Sequence, residues 1–436
     1  MNDSHKTVGR RLHGAWAQLT IDALLETAVR ARPGRRSFVD APDLPKWSDL
    51  IPQTTNVGEF GALVARFSGQ VRSLGLRHGD VVMVAMPNCV AGVAALIGLQ
   101  ASGYVPCPVS VIASPAEMQE IAELVQARAI ITVNRYAEFR PSSSARIAAS
   151  RFYGLRFVCA YGADVPAGVV SLDSWKDAEL CSDPLPINVA TGPALITIDR
   201  NGGSMKAHVR THAQIISDGL ALSAISGLTG RGSIIATFAP VSAAGYASTV
   251  ASPLISGTMV ALHGPFDAHV LRVQLAVSPE AVLVVPAAVE EAVRLAAGVH
   301  VRDVIVVTRD PGRSRAAGSV GRVTELVSLG EAALWSLLRD NTRSRMRLPR
   351  FYAHPVGTAL PRSVPQLEIS LSPRGRLALS GFGVARILGE DGNAIGESEA
   401  QETGWLAHGD GPEHFLALPE QANTGDAAEV LAVAAA

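Results

Sequence analysis

The sequence predicts an α/β protein: two parallel-sheet α/β subdomains followed by a small β-subdomain. Three observations predict it. As far as residue 350, apolar strand-like runs alternate with helical periodicities, and that alternation implies parallel sheets covered on both faces. The 436 residues, 48% apolar but only 5% aromatic, can bury large cores and suit an Ala/Val/Leu-rich α/β chain. Beyond residue 350 the pattern changes to short β-like pieces punctuated by Gly and Pro. The expected divisions are 1–185 and 186–350 for the α/β subdomains, 351–420 for the β-subdomain, and 421–436 for an Ala-rich tail.

In chain order, Phe60, Leu63, Val64, Phe67, Val71 and Leu74 recur at helical spacing, and Gly75 and Gly79-Asp80 end that helix. Val81–Ala85 reads as a buried strand, Pro87-Asn88 as a turn, residues 89–102 as a core helix, and Gly103-Tyr104-Val105-Pro106 as the lead into another strand. A helix over 115–126 precedes the strand Ala129–Val133. Ser142-Ser143-Ser144 marks a loop, and 181–193, with Pro184, Pro186 and Pro193, a linker. Strands are then expected at 194–198, 233–238, Met259–Leu262, 281–285 and 304–307, with helices between. The β-subdomain is expected to use 366–371, Arg376–Ser380 and 385–388.

Composition excludes several classes of function. A formal net charge of −1 gives no global field toward nucleic acid or an anionic membrane. Cys89, Cys107, Cys159 and Cys181 are widely spaced, form no CxxC and read as buried thiols of a reducing compartment. Residues 1–11 are polar and lack the apolar core of a secretory signal, and 81–109 is interrupted by Pro87-Asn88 and Gly103, so no membrane span is expected and the location reads as cytoplasmic. The histidines show neither HExxH nor a zinc-like cluster, no GxSxG elbow occurs, and no GxGxxG follows a strand.

The chemistry-bearing stretch is Ala194-Leu195-Ile196-Thr197-Ile198-Asp199-Arg200-Asn201-Gly202-Gly203-Ser204-Met205-Lys206, closing on Thr211-His212. An apolar strand, a glycine turn, a Lys and a Thr-His resemble the phosphate loop ALIxYTSGTTGxPKGVxxTH of the adenylate-forming (AMP-binding) superfamily, which includes acyl- and aryl-CoA ligases. Lysine is rare in this chain (Lys6, Lys46, Lys176 and Lys206), so a Lys at the loop's expected position stands out. The hydroxyl-rich TSGTT core is replaced by Asp199-Arg200-Asn201-Gly202-Gly203, the loop is shorter, and the Pro before the Lys is absent. Gly79-Asp80-Val81-Val82-Met83-Val84-Ala85-Met86-Pro87-Asn88 resembles GDRVAVLLPN. Residues 375–386 resemble GELLVRGPGVARGY, and Gly404-Trp405-Leu406-Ala407-His408-Gly409-Asp410 resembles GWxxTGD, all in the family's order.

The resemblance implies the large N-terminal domain of an adenylate-forming enzyme, with site residues at matching positions. Gly202, Gly203, Ser204 and Lys206 would hold phosphate, although the Asp199 carboxylate would repel it unless paired with Arg200; a tight turn without function is the competing reading. Thr324-Glu325 matches the end of YGxTE, implying phosphate contact for Thr324 and metal binding for Glu325. Gly321 stands for the adenine-stacking aromatic and Arg322 for the glycine after it. Alternatively, Ser328-Leu329-Gly330-Glu331 is a capping box opening a helix through Leu338, leaving Glu325 as a solvated charge. Asp410 would accept the ribose hydroxyls, or be an ordinary turn residue. Ser242, Ala243 and Gly245 stand in the family's PxFHxxG acyl-pocket segment, where they widen a pocket or serve helix packing.

Two functions follow. One is a divergent acid–thiol ligase that uses ATP and Mg²⁺ to convert a fatty or aromatic acid to acyl-AMP, then forms a thioester on CoA or a carrier protein's phosphopantetheine. The other is a pseudo-ligase, binding an acyl group or carrier protein without catalysis. The family's C-terminal domain supplies a lysine for adenylation; after Lys206 this sequence has none, so a separate completing subunit is an expected partner of an active form.

Overall fold

The computed structural model describes residues 19–175, 181, 183–201, 204–228, 232–298, 301, 303–309, 321–339, 347–352, 367–373, 376–388, 394–395, 401–409 and 414–417. The first sheet orders its strands Val105–Pro108, Val81–Ala85, Ala129–Val133, Phe157–Tyr161 and Val170–Ser171, all parallel. Its central strands are buried on both faces, which is why their sequences read as near-continuous apolar runs. The helix Val90–Ala101 is apolar on every side and buried almost throughout, so it lies in the interior.

The second sheet has eight strands, in the order Ala333–Leu338, Arg322–Leu329, Asp303–Thr308, Val282–Pro286, Ser233–Ala236, Met259–Leu262, Arg36–Val39 and Thr54–Asn56. The six inner strands are parallel and the two outer ones antiparallel. The expected boundary at 185 therefore does not separate the sheets, because Arg36–Val39 pairs with Met259–Leu262 from the far side of it. Tertiary contacts decide this. Phe38 stacks on Phe60 with ring centroids 4.5 Å apart, and Asp40 accepts from Val90 N–H at 2.7 Å, tying the strand to helices of the first unit while its backbone completes the second sheet. Asn88 of the Pro87-Asn88 turn also crosses over, donating to the carbonyls of Ala236 and His263, each at 2.9 Å.

A six-stranded antiparallel sheet comprises Arg347–Pro349, His414–Ala417, Gln401–Gly409, Arg376–Ser380, Leu367–Leu371 and Phe351–Tyr352. Arg386–Leu388 leaves this sheet and pairs with the strand Ser204–Thr211 instead.

Two local expectations are corrected. Ser142-Ser143-Ser144 lies within the helix Pro141–Arg151; Pro141 opens it, and Ser142 turns its hydroxyl to Asn134 Oδ1 at 2.8 Å. Residues 328–338 form no helix: Arg322–Leu329 and Ala333–Leu338 are a hairpin, turned at Gly330 and Glu331 with φ of 57° and 55°. The Ser328–Glu331 contact exists, at 3.4 Å, but Val327, Leu329, Ala333 and Trp335 need the β period to reach one core cluster. Cys89, Cys107 and Cys159 are buried free thiols. Among the described residues no helix is long and apolar enough to cross a membrane.

Candidate functional site

The phosphate-loop region is a long hairpin, Pro193–Asn201 against Ser204–Thr211. Its alternation gives it two faces. Ile196, Ala207 and Val209 pack into the core beneath the first sheet. The other face carries the cross-strand pairs Leu195–Arg210, Thr197–His208 and Asp199–Lys206. The ladder continues through Arg200–Met205 to Asn201–Ser204. Only Gly202 and Gly203 lie beyond it, and they are outside the described residues. Most of the expected open loop is thus paired strand, with Ser204 and Lys206 exposed near the tip. Arg200 forms an ion pair with Glu117 on the helix Pro115–Val125. The Asp199 carboxylate packs on the 330 turn: a Cβ added at Gly330 would sit 3.0 Å from Asp199 Oδ2.

The closing Thr211-His212 opens the helix His212–Ser226. Thr211 Oγ accepts from Gln214 N–H at 3.2 Å and Gln214 Oε1 from Thr211 N–H at 2.9 Å, a reciprocal cap. The same Gln214 donates to the carbonyls of Phe382 and Val384, each at 2.9 Å, docking the glycine-rich 381–385 segment on the helix start.

Behind the hairpin lies a buried polar layer. Arg210, 1% exposed, donates to Asp218 Oδ2 at 2.9 Å, to the Glu331 carbonyl at 3.2 Å and to the Gly383 carbonyl at 3.4 Å. Burial pushes the Asp218 acid up to about 7, against the pull of Arg210. Burial lowers His208 to about 4; Glu331 opposes that shift, while Arg210 and Lys206 add to it. Thr197 Oγ1, both His208 ring nitrogens and Arg210 Nε find no hydrogen-bond partner among the described residues.

Glu331 is the centre of the site. Its carboxylate is 1% exposed, accepts from Ala243 N–H at 2.7 Å through Oε2, and pairs with Arg309 at 2.7 Å through Oε1. Burial alone would raise its acid; the Arg309 charge and the Ala243 N–H outweigh burial and hold it below the usual carboxylate range. Arg309 directly follows the strand Asp303–Thr308, so it stands at the carboxyl ends of the parallel strands, where open α/β sheets bind ligands.

The structure distributes the sequence-predicted residues unevenly. Ser242, Ala243 and Gly245 adjoin Glu331, but they are buried, and Ser242 Oγ accepts from Gly245 N–H at 3.0 Å as a helix cap. A Cβ on Gly245 would lie 3.1 Å from Pro240 Cα and 3.2 Å from the Ala239 oxygen, so at Gly245 the missing side chain serves close packing. Thr324 sits buried on the strand Arg322–Leu329, five residues and ~17 Å of rise from its carboxyl end. Glu325 is neither solvated nor at the cleft: Arg339 Nε donates to it at 2.7 Å and also grips Glu290 through both terminal nitrogens, at 2.7 and 2.8 Å. Asp410 lies outside the described residues. The sequence reading missed Glu331, Arg309 and Arg210. The signal for Glu331 was its own turn: against GxTE, Ser328-Leu329-Gly330-Glu331 places a Glu just past the strand end, where Thr324-Glu325 places it within the strand.

The family model "AMP-binding enzyme" matches residues 25–179. The salicyl-AMP ligase / salicyl-S-ArCP synthetase of Mycobacterium tuberculosis H37Rv is 26% identical over 255 residues, 57% of this chain and 42% of that protein, so the chain spans less than half the length of this curated relative. Among solved structures, the fold is shared with MbtA of Mycobacterium smegmatis (TM-score 0.69, 16% identity, 95% of this chain and 78% of that one). It is shared also with a benzoate CoA ligase from Burkholderia xenovorans LB400 (0.68, 15%, 92% and 80%). The N-terminal subdomain of Klebsiella oxytoca NpsA, in complex with 3-hydroxybenzoyl-AMSN, matches along its whole length (0.62, 14%, 92% and 100%). The first part of the chain, residues 25–179, thus matches the AMP-binding enzyme family, and the described residues share the fold of these ligases.

Proposed function

We propose that this chain is a pseudo-ligase of the aryl-acid-activating kind, which holds a small aromatic carboxylic acid but does not by itself convert it to acyl-AMP. One observation carries the reading: the hairpin register pairs Asn201 with Ser204 and leaves two residues for what must be an open, phosphate-wrapping loop. Enzymes of this family adenylate with ATP and Mg²⁺, and the described residues do not fit that pair. Ladder pairing engages backbone that a phosphate cradle would leave open, and the Glu331 carboxylate is already held by Arg309 and Ala243. An aromatic acid is favoured as ligand by the relatives, whose names specify salicyl, benzoate and 3-hydroxybenzoyl groups.

Calorimetry with Mg-ATP and salicylate tests this. Salicylate binding without detectable Mg-ATP binding, and no acid-dependent pyrophosphate exchange, is the expected result; Mg-ATP binding in the low micromolar range would overturn it. The exposure of Lys206 at the hairpin tip favours a second reading, a ligase completed by another protein. In that case exchange would appear on adding the partner, with CoA or a carrier protein as acceptor.

A further inference from the structure

We infer that the amino edge of the first sheet is a docking surface for an acidic segment of a partner protein, independent of the acid-binding reading above. The parallel strands Val81–Ala85, Ala129–Val133 and Phe157–Tyr161 all begin at this edge. Arg128 and Arg156 directly precede the second and third of them. Arg128 N–H donates to the Val81 carbonyl and Arg156 N–H to the Arg128 carbonyl, each at 2.8 Å, so the two arginines stand side by side on strands ~4.8 Å apart. Like charges on neighbouring strand positions destabilise a sheet, and no acid relieves this pair. Among the described residues neither arginine forms an ion pair, nor does Arg151 before Phe157–Tyr161 or Arg77 in the turn before Val81–Ala85. The carboxylates on adjoining segments are engaged elsewhere: Asp80 Oδ2 accepts from Arg77 N–H at 2.7 Å, and Glu123 Oε1 from Gln119 Nε2 at 2.9 Å.

The same edge carries an aromatic side chain. After the helix Pro141–Arg151 the chain turns back into the sheet, Leu155 N–H donating to the Phe152 carbonyl at 3.1 Å. That turn holds Tyr153, 92% exposed, between the exposed Arg151 and Arg156 in sequence. The Arg156 guanidinium lies over the Phe157 ring, 6.0 Å from its centroid, which restrains it. Arginine and tyrosine are the residues that protein interfaces concentrate relative to other surface. Charge complementarity sets the chemistry of the partner: cations without local anions take a carboxylate-rich segment, which arginine can grip through two parallel bonds. The whole chain has a formal net charge of −1, so the attraction is confined to this patch. A local patch favours an acidic protein segment over a long polyanion such as nucleic acid, which a field over the whole molecule would draw.

The test uses the full chain and a fluorescein-labelled helical peptide of Glu and Ala, with Gln replacing Glu in its uncharged counterpart, followed by fluorescence anisotropy. The Glu peptide should bind at least about tenfold more tightly than the Gln peptide, and raised salt should abolish the difference. Arg128→Ser/Arg156→Ser should weaken the Glu peptide by about fivefold or more, the sum of two exposed charge contacts. Arg30→Ser/Arg272→Ser, which removes the same charge from exposed positions elsewhere, should leave it unchanged. Tyr153→Ala should weaken the Glu peptide by about threefold without altering its salt dependence. Arg128→Glu is the folding control: it places an acid beside Arg156, so it should melt no lower than the wild type while losing the peptide. Equal loss in the Arg30/Arg272 variant, equal binding by the wild type and the Arg128/Arg156 variant, or no preference for the Glu peptide overturns the inference. Tighter binding of a single-stranded oligonucleotide or of phosphatidylserine vesicles than of the Glu peptide overturns the assignment to a protein partner.

Discussion

Replacing Arg210 by Met should expose how the layer behind the hairpin is held. Arg210 joins three parts of the chain: Asp218 on the helix His212–Ser226, the Glu331 turn, and the 381–385 segment. Met keeps the aliphatic volume and removes the charge, leaving Asp218 as a lone, fully buried acid. Breaking a buried pair on one side costs about 3–5 kcal/mol. The pH dependence gives the argument its sign. Asp218 already stands at about 7 against an ordinary 3.8, so the folded state holds a proton that the unfolded state releases between those values. Stability from this group is therefore fully present below about 4 and falls as pH rises to about 7, by roughly 4 kcal/mol for a carboxyl raised that far. Without Arg210, whose charge lowers the Asp218 acid, the folded value moves higher still and the loss extends above pH 7. Urea unfolding should show Arg210→Met destabilised more at pH 8 than at pH 5, with Arg210→Met/Asp218→Leu recovering most of the stability at both. An equal deficit at the two pH values, or a double variant as unstable as the single, would refute the assignment of Asp218 as the stranded charge.

His208→Leu should stabilise the protein, because it removes two ring nitrogens that lack partners among the described residues. Since burial lowers His208 to about 4, its contribution is present above about 6.5 and lost as pH falls toward 4; the leucine variant should show a flatter acid limb in thermal melts, and a lower midpoint at pH 7 would contradict this. Arg339→Met should cost about 1.5–3 kcal/mol in urea unfolding by removing a charged partner that Glu325 and Glu290 share, yet leave salicylate affinity unchanged; a large affinity change would return Glu325 to the site. Gly245→Ala should cost about 1–3 kcal/mol by forcing the helix off the 238–240 segment, and an unchanged melting temperature would argue that the wall yields.

The sequence by itself determined the elements whose signal is local. Val81–Ala85, Ala129–Val133 and Met259–Leu262 were legible because strands buried on both faces can only be apolar throughout, and the β-subdomain because antiparallel pieces need frequent turns. The order of motifs made the resemblance to AMP-binding enzymes legible as well. Only the tertiary structure decided where Arg36–Val39 would pair, since a strand's sequence carries its burial but not the identity of the sheet edge that receives its backbone. It also decided the fate of the carboxylates. Glu325 and Glu331 are equally plausible as letters, yet one is six residues earlier on the same hairpin and faces Arg339 and Glu290, while the other lies past the strand end between Arg309 and the Ala243 N–H. Charge partners are chosen by distance through space, and in Arg210, Arg309 and Arg339 the chain uses one residue type for three different tasks that only packing distinguishes.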